Sequence, residues 1–127
     1  LVAKRDGWTA AVPRAATYPI AVTVAPVRRV PDLPALSGAS RNRLAALLVD
    51  VFRRLDALFD QPMPYMMWIN QRPTDGGDWP QAWLNIEIVS PWRSAGVPRF
   101  IAAAEVGAEE YFNPVIPEDL AARLRAL

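Results

Sequence analysis

The 127-residue chain contains neither cysteine nor histidine. The first absence excludes thiol nucleophiles, iron–sulfur clusters and every thiolate metal site. The second removes the commonest general base together with the commonest metal ligand. Ser-His, Cys-His and His-ligated zinc chemistry are closed to this chain, and its residues call for no metal and no other cofactor. Lysine is nearly absent as well. Lys4 stands alone beside thirteen arginines, in what reads as a mobile terminus, which argues against a buried Schiff-base amine. No apolar run approaches the ~18 residues of a membrane span. The opening Leu1-Val2-Ala3-Lys4-Arg5 has neither an initiator methionine nor a signal-peptide apolar core, so the chain reads as a piece of a longer one, cytoplasmic in origin.

What is present describes one globular domain over residues 1–127. Apolar residues make up 52% of the chain, and 14 Lys+Arg nearly balance 13 Asp+Glu. A domain of this size buries roughly 60–70% of its unfolded surface and needs no covalent staple. A net charge of +1 is too small for the multiple phosphate neutralisation on which nucleic-acid binding rests. Residues 1–60 hold nine cations against five acids and residues 61–127 hold five against eight, a split that two solvated faces of one domain accommodate.

Trp8–Val12 and Ile20–Ala25 are short, β-rich and bounded by proline, and read as a strand pair joined through Arg14–Pro19. From Ser40 as N-cap, Leu44, Leu47, Leu48, Val51, Phe52, Leu55, Leu58 and Phe59 form the stripe of a five-turn amphipathic helix, which Pro62 and Pro64 stop after Asp60. Two further strands follow at Tyr65–Asn70 and Trp83–Val89. In the second, Leu84, Ile86 and Ile88 alternate with Trp83, Asn85 and Glu87, so the aliphatic set faces the helix. Phe100–Val106 suits either a last strand or a short helix. Pro117, with acids after it and Arg123 and Arg125 at the far end, marks a C-terminal helix matched to its dipole. The expected fold is α+β: an antiparallel β-sheet covered on one face by a long amphipathic helix, plus a short C-terminal helix.

Several runs in this order carry a resemblance. Pro31-Asp32-Leu33-Pro34-Ala35-Leu36, Arg54 through Asp60, Pro62-Met63-Pro64-Tyr65-Met66, Gln71 through Pro80 and Pro117-Glu118-Asp119 resemble the C-terminal half of galactose-1-phosphate uridylyltransferases of the actinobacterial type. The resemblance implies a histidine-triad-like α+β unit. It also implies that the histidine nucleophile, in a His-Pro-His motif, belongs to a first half not present in this sequence. A structural metal site of the second half maps onto Asn70, Trp83 and Asn85, none of which replaces an imidazole. A sugar-contacting segment, which in the family reaches into a neighbouring subunit, maps onto Arg99, Phe100 and Glu105, with Tyr111 or Asn113 near a further polar contact. This leaves UDP-hexose as a candidate ligand and dimerisation open. The alternative at this segment is a surface Arg/Glu pair with Phe100 in the core.

Departures from the family pattern gather at Ala21, Thr23, Val27, Arg29, Trp68, Asn70, Trp83, Asn85 and Glu87, which strand alternation assigns to the face away from the helix. Replacement confined to one face points to engineering or a changed role. Exposed aromatics ringed by polar groups mark binding surfaces. Met66, Trp68, Asn70, Trp83, Asn85, Glu87 and Trp92 are therefore the candidate contact face for a protein partner or a flat apolar ligand. The leading expectation is a catalytically inactive binding module or scaffold. The alternative is half of a UDP-hexose nucleotidyltransferase that needs a separate catalytic half. A third reading makes Glu87, the one titratable group among the aromatics, a general base. Asp75-Gly76-Gly77-Asp78 lacks both EF-hand spacing and a P-loop lysine, and reads as a turn.

Overall fold

A computed structural model describes residues 1–127. Strands β1 (Ala3–Arg5), β2 (Trp8–Ala11) and β3 (Ile20–Pro26) lead into helix α1 (Gly38–Ala57). Strands β4 (Met66–Asn70) and β5 (Asn85–Ser90) follow, then a small hairpin of β6 (Trp92–Ser94) and β7 (Val97–Pro98), and helices α2 (Ala103–Ala108) and α3 (Pro117–Ala126). The main sheet is antiparallel in the order β1-β2-β3-β5-β4. No helix is long and apolar enough to cross a membrane.

The core lies on one face of this sheet. Val22 and Val24 of β3 and Ile86 and Ile88 of β5 meet Leu44, Leu47, Val51 and Leu55 of α1, as the alternation in β5 requires. Leu120, Ala121 and Leu124 of α3 join the same cluster. Arg54 of α1 donates to the carbonyls of Leu124 and Arg125 at 2.8 and 3.1 Å, satisfying acceptors that the end of α3 leaves open. Trp8 is buried in the core, and its indole N–H reaches Ser40 Oγ at 3.2 Å. Ser40 is therefore not the helix cap. Ser37 takes that role, its hydroxyl accepting from the Ser40 amide at 3.2 Å, and the helix runs three residues less far than Asp60.

The N-terminus is a strand where a mobile segment was expected. Asp6 and Gly7 both have positive φ, 41° and 90°, and form the two-residue turn of a β1–β2 hairpin, the type whose twist matches paired strands. A Cβ at residue 7 meets no neighbour, so the cost of replacing this glycine is conformational. Gly7→Ala should lower the unfolding free energy by roughly 1 kcal/mol, read as a lower urea midpoint at unchanged slope.

Candidate functional site

The polar face of the sheet is built by register. Thr23 of β3 lies opposite Glu87 of β5, which lies opposite Trp68 of β4, and the next pair along is Asn85 with Asn70. Trp68 is 42% exposed and Met66 is exposed on the same face. Asn70 Nδ2 donates to Asn85 Oδ1 at 2.8 Å and to Glu87 Oε1 at 2.7 Å, while Asn85 Nδ2 donates to the Trp83 carbonyl at 3.2 Å. The trio gathered here is Asn70, Asn85 and Glu87, not Asn70, Trp83 and Asn85. Trp83 precedes β5, and its indole N–H donates to the Pro26 carbonyl at 3.1 Å while its ring remains 46% exposed.

Two other expectations for this face are corrected. Trp92 is half-buried in β6, packs against the core and lies 6.2 Å from the Phe59 ring, so it does not join Trp68. Val27 and Arg29 lie beyond the end of β3, and Arg29 clamps the β4–β5 connector through the carbonyls of Ala82 and Trp79. Asp75 closes the turn in that connector. Its carboxylate accepts from the Trp79 indole N–H at 2.9 Å and the Gly77 amide at 3.0 Å, and these bonds hold it below the usual carboxylate range.

A second constellation forms where the segment after β7 folds back over the β2–β3 loop. Arg99 donates to the Thr17 carbonyl at 2.7 Å, lies 4.8 Å over the Tyr18 ring and pairs with Glu105. Glu105, only 7% exposed, stands at the third position of α2 and accepts the Ala102 amide at 2.8 Å. That amide, and then the Arg99 guanidinium, hold its carboxyl below the usual glutamate range. Asn113 donates to the carbonyls of Ala16 and Tyr18 at 2.9 and 3.1 Å, pinning the chain before α3. The result inverts one sequence alternative: the Arg/Glu pair is buried and Phe100 is 75% exposed.

Between these pinned strips lies a cavity of about 590 Å³ whose lining includes Arg93, Arg99, Phe100, Glu105, Tyr111 and Phe112. Arg93 sits 5.5 Å over the Phe100 ring, and Tyr111 and Phe112 are exposed. An aromatic rim with one guanidinium, Arg93, outside any ion pair suits a ligand that has both an apolar ring face and negative charge. Arg93 and Phe112 escaped the sequence reading. The only available signal was the aromatic doublet Tyr111-Phe112 ahead of Asn113-Pro114, far from any periodic segment.

A sheet of this order with one long crossing helix is the histidine-triad-like fold. A hypothetical histidine triad nucleotide-binding protein from Sulfolobus tokodaii superposes with a TM-score of 0.67 at 12% identity, over 98% of this chain and 80% of that one. Sequence narrows the class further. The family model described as galactose-1-phosphate uridyl transferase, C-terminal domain, matches residues 1–127, and the chain belongs to that family. The galactose-1-phosphate uridylyltransferase of Thermotoga maritima is 33% identical over 125 residues, covering 98% of this chain and 39% of its own length. A solved uridylyltransferase mutant superposes with a TM-score of 0.90 at 32% identity, over 99% of this chain and 40% of that one. The chain thus spans about a third to two fifths of the length of the uridylyltransferases it matches.

A group whose folded pKa is lowered stabilises the fold fully above its unfolded value, and that contribution is lost as the pH falls through the folded value. For Glu105 the loss begins below the ordinary value of 4.5. Glu105→Gln should therefore be less stable than the native chain at pH 7, with the difference shrinking toward pH 3, read by urea unfolding across that range.

Proposed function

We propose that this domain supplies the ligand-contacting, non-nucleophilic part of nucleotidyl transfer on UDP-hexoses, acting with a separate half that carries the nucleophile. The observation that carries this reading is the cavity beside α2. Arg99, Phe100 and Glu105, which the family resemblance assigns to the sugar, line one cavity, and Tyr111 and Asn113 line it too. Within it the roles divide. Arg99 and Glu105 neutralise each other and position the segment, so they act on a ligand through the loop they hold. Tyr111, Phe112 and the exposed Phe100 can lie against a ring, and Arg93, stacked 5.5 Å from the Phe100 ring centroid, offers a cation to a diphosphate.

The chain has no histidine, so it forms no uridylyl-histidine itself. In such a transfer the nucleophile of the other half bonds the uridylyl phosphorus as the bond to the hexose 1-phosphate oxygen breaks and hexose 1-phosphate leaves; a second hexose 1-phosphate oxygen then bonds the same phosphorus and releases the nucleophile. This domain's share is orientation of the hexose end. Co-expression with a His-Pro-His-bearing N-terminal half should give transfer activity that neither part has alone. Phe100→Ala in that pair should lower kcat/KM by about three- to tenfold, the range of a lost aromatic contact. A mixture in which both parts are folded yet inactive would contradict the proposal.

A second reading rests on Trp68, exposed beside Met66 on edge strand β4, on the sheet face away from α1. In that reading the domain is a binding module or scaffold for a protein partner or a flat apolar ligand, and the clustered departures from the family pattern record redesign or a changed role. Trp68→Ala should then abolish binding with the unfolding midpoint nearly unchanged, and should leave the transfer assay untouched. A role for Glu87 as general base would need its Asn70 hydrogen bond to open, and would be tested by whether Glu87→Gln removes any activity found.

A further inference from the structure

The family resemblance implies a structural metal on this half of the fold, and the side chains that converge at the end of β4 and β5 do not fit one. Their orientations are fixed by their neighbours. Asn85 Nδ2 is drawn to the Trp83 carbonyl, which turns Asn85 Oδ1 toward Asn70. The Glu87 carboxylate has only acceptors to offer. Asn70 must then turn its amide nitrogen inward, and it donates to both oxygens, at 2.8 and 2.7 Å. A donor nitrogen occupies the point where the three side chains meet. Zinc or iron takes imidazole, thiolate or carboxylate lone pairs, and here two of the three positions are neutral amides. Calcium takes six or more oxygens, and this trio offers one anionic group, and an oxygen from Asn70 only after both hydrogen bonds break.

We infer that Asn70, Asn85 and Glu87 form a metal-independent clasp that fastens edge strand β4 to β5 through hydrogen bonds. The strand needs such a fastening. All five residues of β4 are exposed, on both faces of the sheet, and its only sheet neighbour is β5. Beyond the backbone ladder, its N-terminal approach is held by Tyr65 against Phe52 of α1, with ring centroids 4.6 Å apart. The clasp secures the opposite end. Because Trp68 and Met66 ride on β4, the same three side chains also set the position of the exposed aromatic face.

The test uses the full chain and its isosteric variant Asn70→Asp, which removes the donor and sets a carboxylate against Glu87. Thermal unfolding is followed in EDTA, in excess Zn²⁺ and in excess Ca²⁺, with native-state exchange of the Met66 and Trp68 amides, which face β5 in the ladder, as a local readout. The clasp predicts that the native midpoint is the same in all three conditions. It also predicts that Asn70→Asp speeds exchange in β4 by about tenfold while leaving Val22 and Val24 of β3 protected. If Asn70→Asp does not fold, Asn70→Ser, too short to reach both acceptors, gives the same readout. A native midpoint that falls in EDTA or rises with either ion would overturn the inference in favour of a metal seat. Unchanged β4 exchange in the variant would overturn it by showing that the donor ties nothing.

Discussion

The register of β5 is the constraint on which the rest of the molecule depends. Strand side chains alternate with a period of two, so a slip of one residue would carry Ile86 and Ile88 out of the core and put Asn85 and Glu87 into it. In the observed register Val22 faces Ile88 and Val24 faces Ile86, under α1, while Thr23 faces Glu87 on the other side. β4 reads its own placement from β5, with Trp68 opposite Glu87 and Asn70 opposite Asn85. The buried core, the polar clasp and the exposed aromatic face are thus three consequences of one alignment. They differ in how much apolar surface backs them: β5 is covered by α1 and α3, whereas β4 depends on its ladder and a few side chains.

The second constellation obeys a different logic. From Arg99 to Asn113 the chain has one six-residue helix and little apolar burial, and it is held by charge and hydrogen bonds. Glu105 satisfies the first turn of α2 with one oxygen and the Arg99 guanidinium with the other. The large apolar side chains of this segment, Phe100, Ile101, Val106 and Phe112 among them, are left outside. An arrangement that buries its ions and exposes its aromatics stabilises little by itself. As proposed above, it suits the preorganised edge of a ligand site.

The sequence made the helix and the central strands legible because hydrophobic periodicity is local. The stripe from Leu44 to Leu58 and the alternation from Leu84 to Ile88 needed no distant information. The misses trace to long-range choices. Ser40 read as the cap, but the helix begins upstream at Gly38 under Ser37, and the Ser40 hydroxyl instead takes a hydrogen bond from Trp8, 32 residues away. Trp83, Asn85 and Glu87 share one parity, and only the pairing with β4 decides which of them meet Asn70. The Asp6-Gly7 hairpin was readable as a two-residue turn, but an end-of-chain position masked it. Arg99 and Glu105 stand six residues apart across a loop, a spacing that fits no helical or strand rule, so their burial together could not be derived. The sequence offered them as a surface pair, and only the folded loop shows that the pair is buried and Phe100 exposed.

The proposed meeting place of this domain and a nucleotide sugar is the cavity beside α2. The measurement that tests this most directly is a titration of the isotope-labelled chain with UDP-glucose, followed by amide chemical shifts. Saturable perturbations clustered at residues 99–105 and 111–113, weaker with UDP alone, are the predicted result. Perturbations confined to the Trp68 and Trp83 face, or none at saturating ligand, would contradict it.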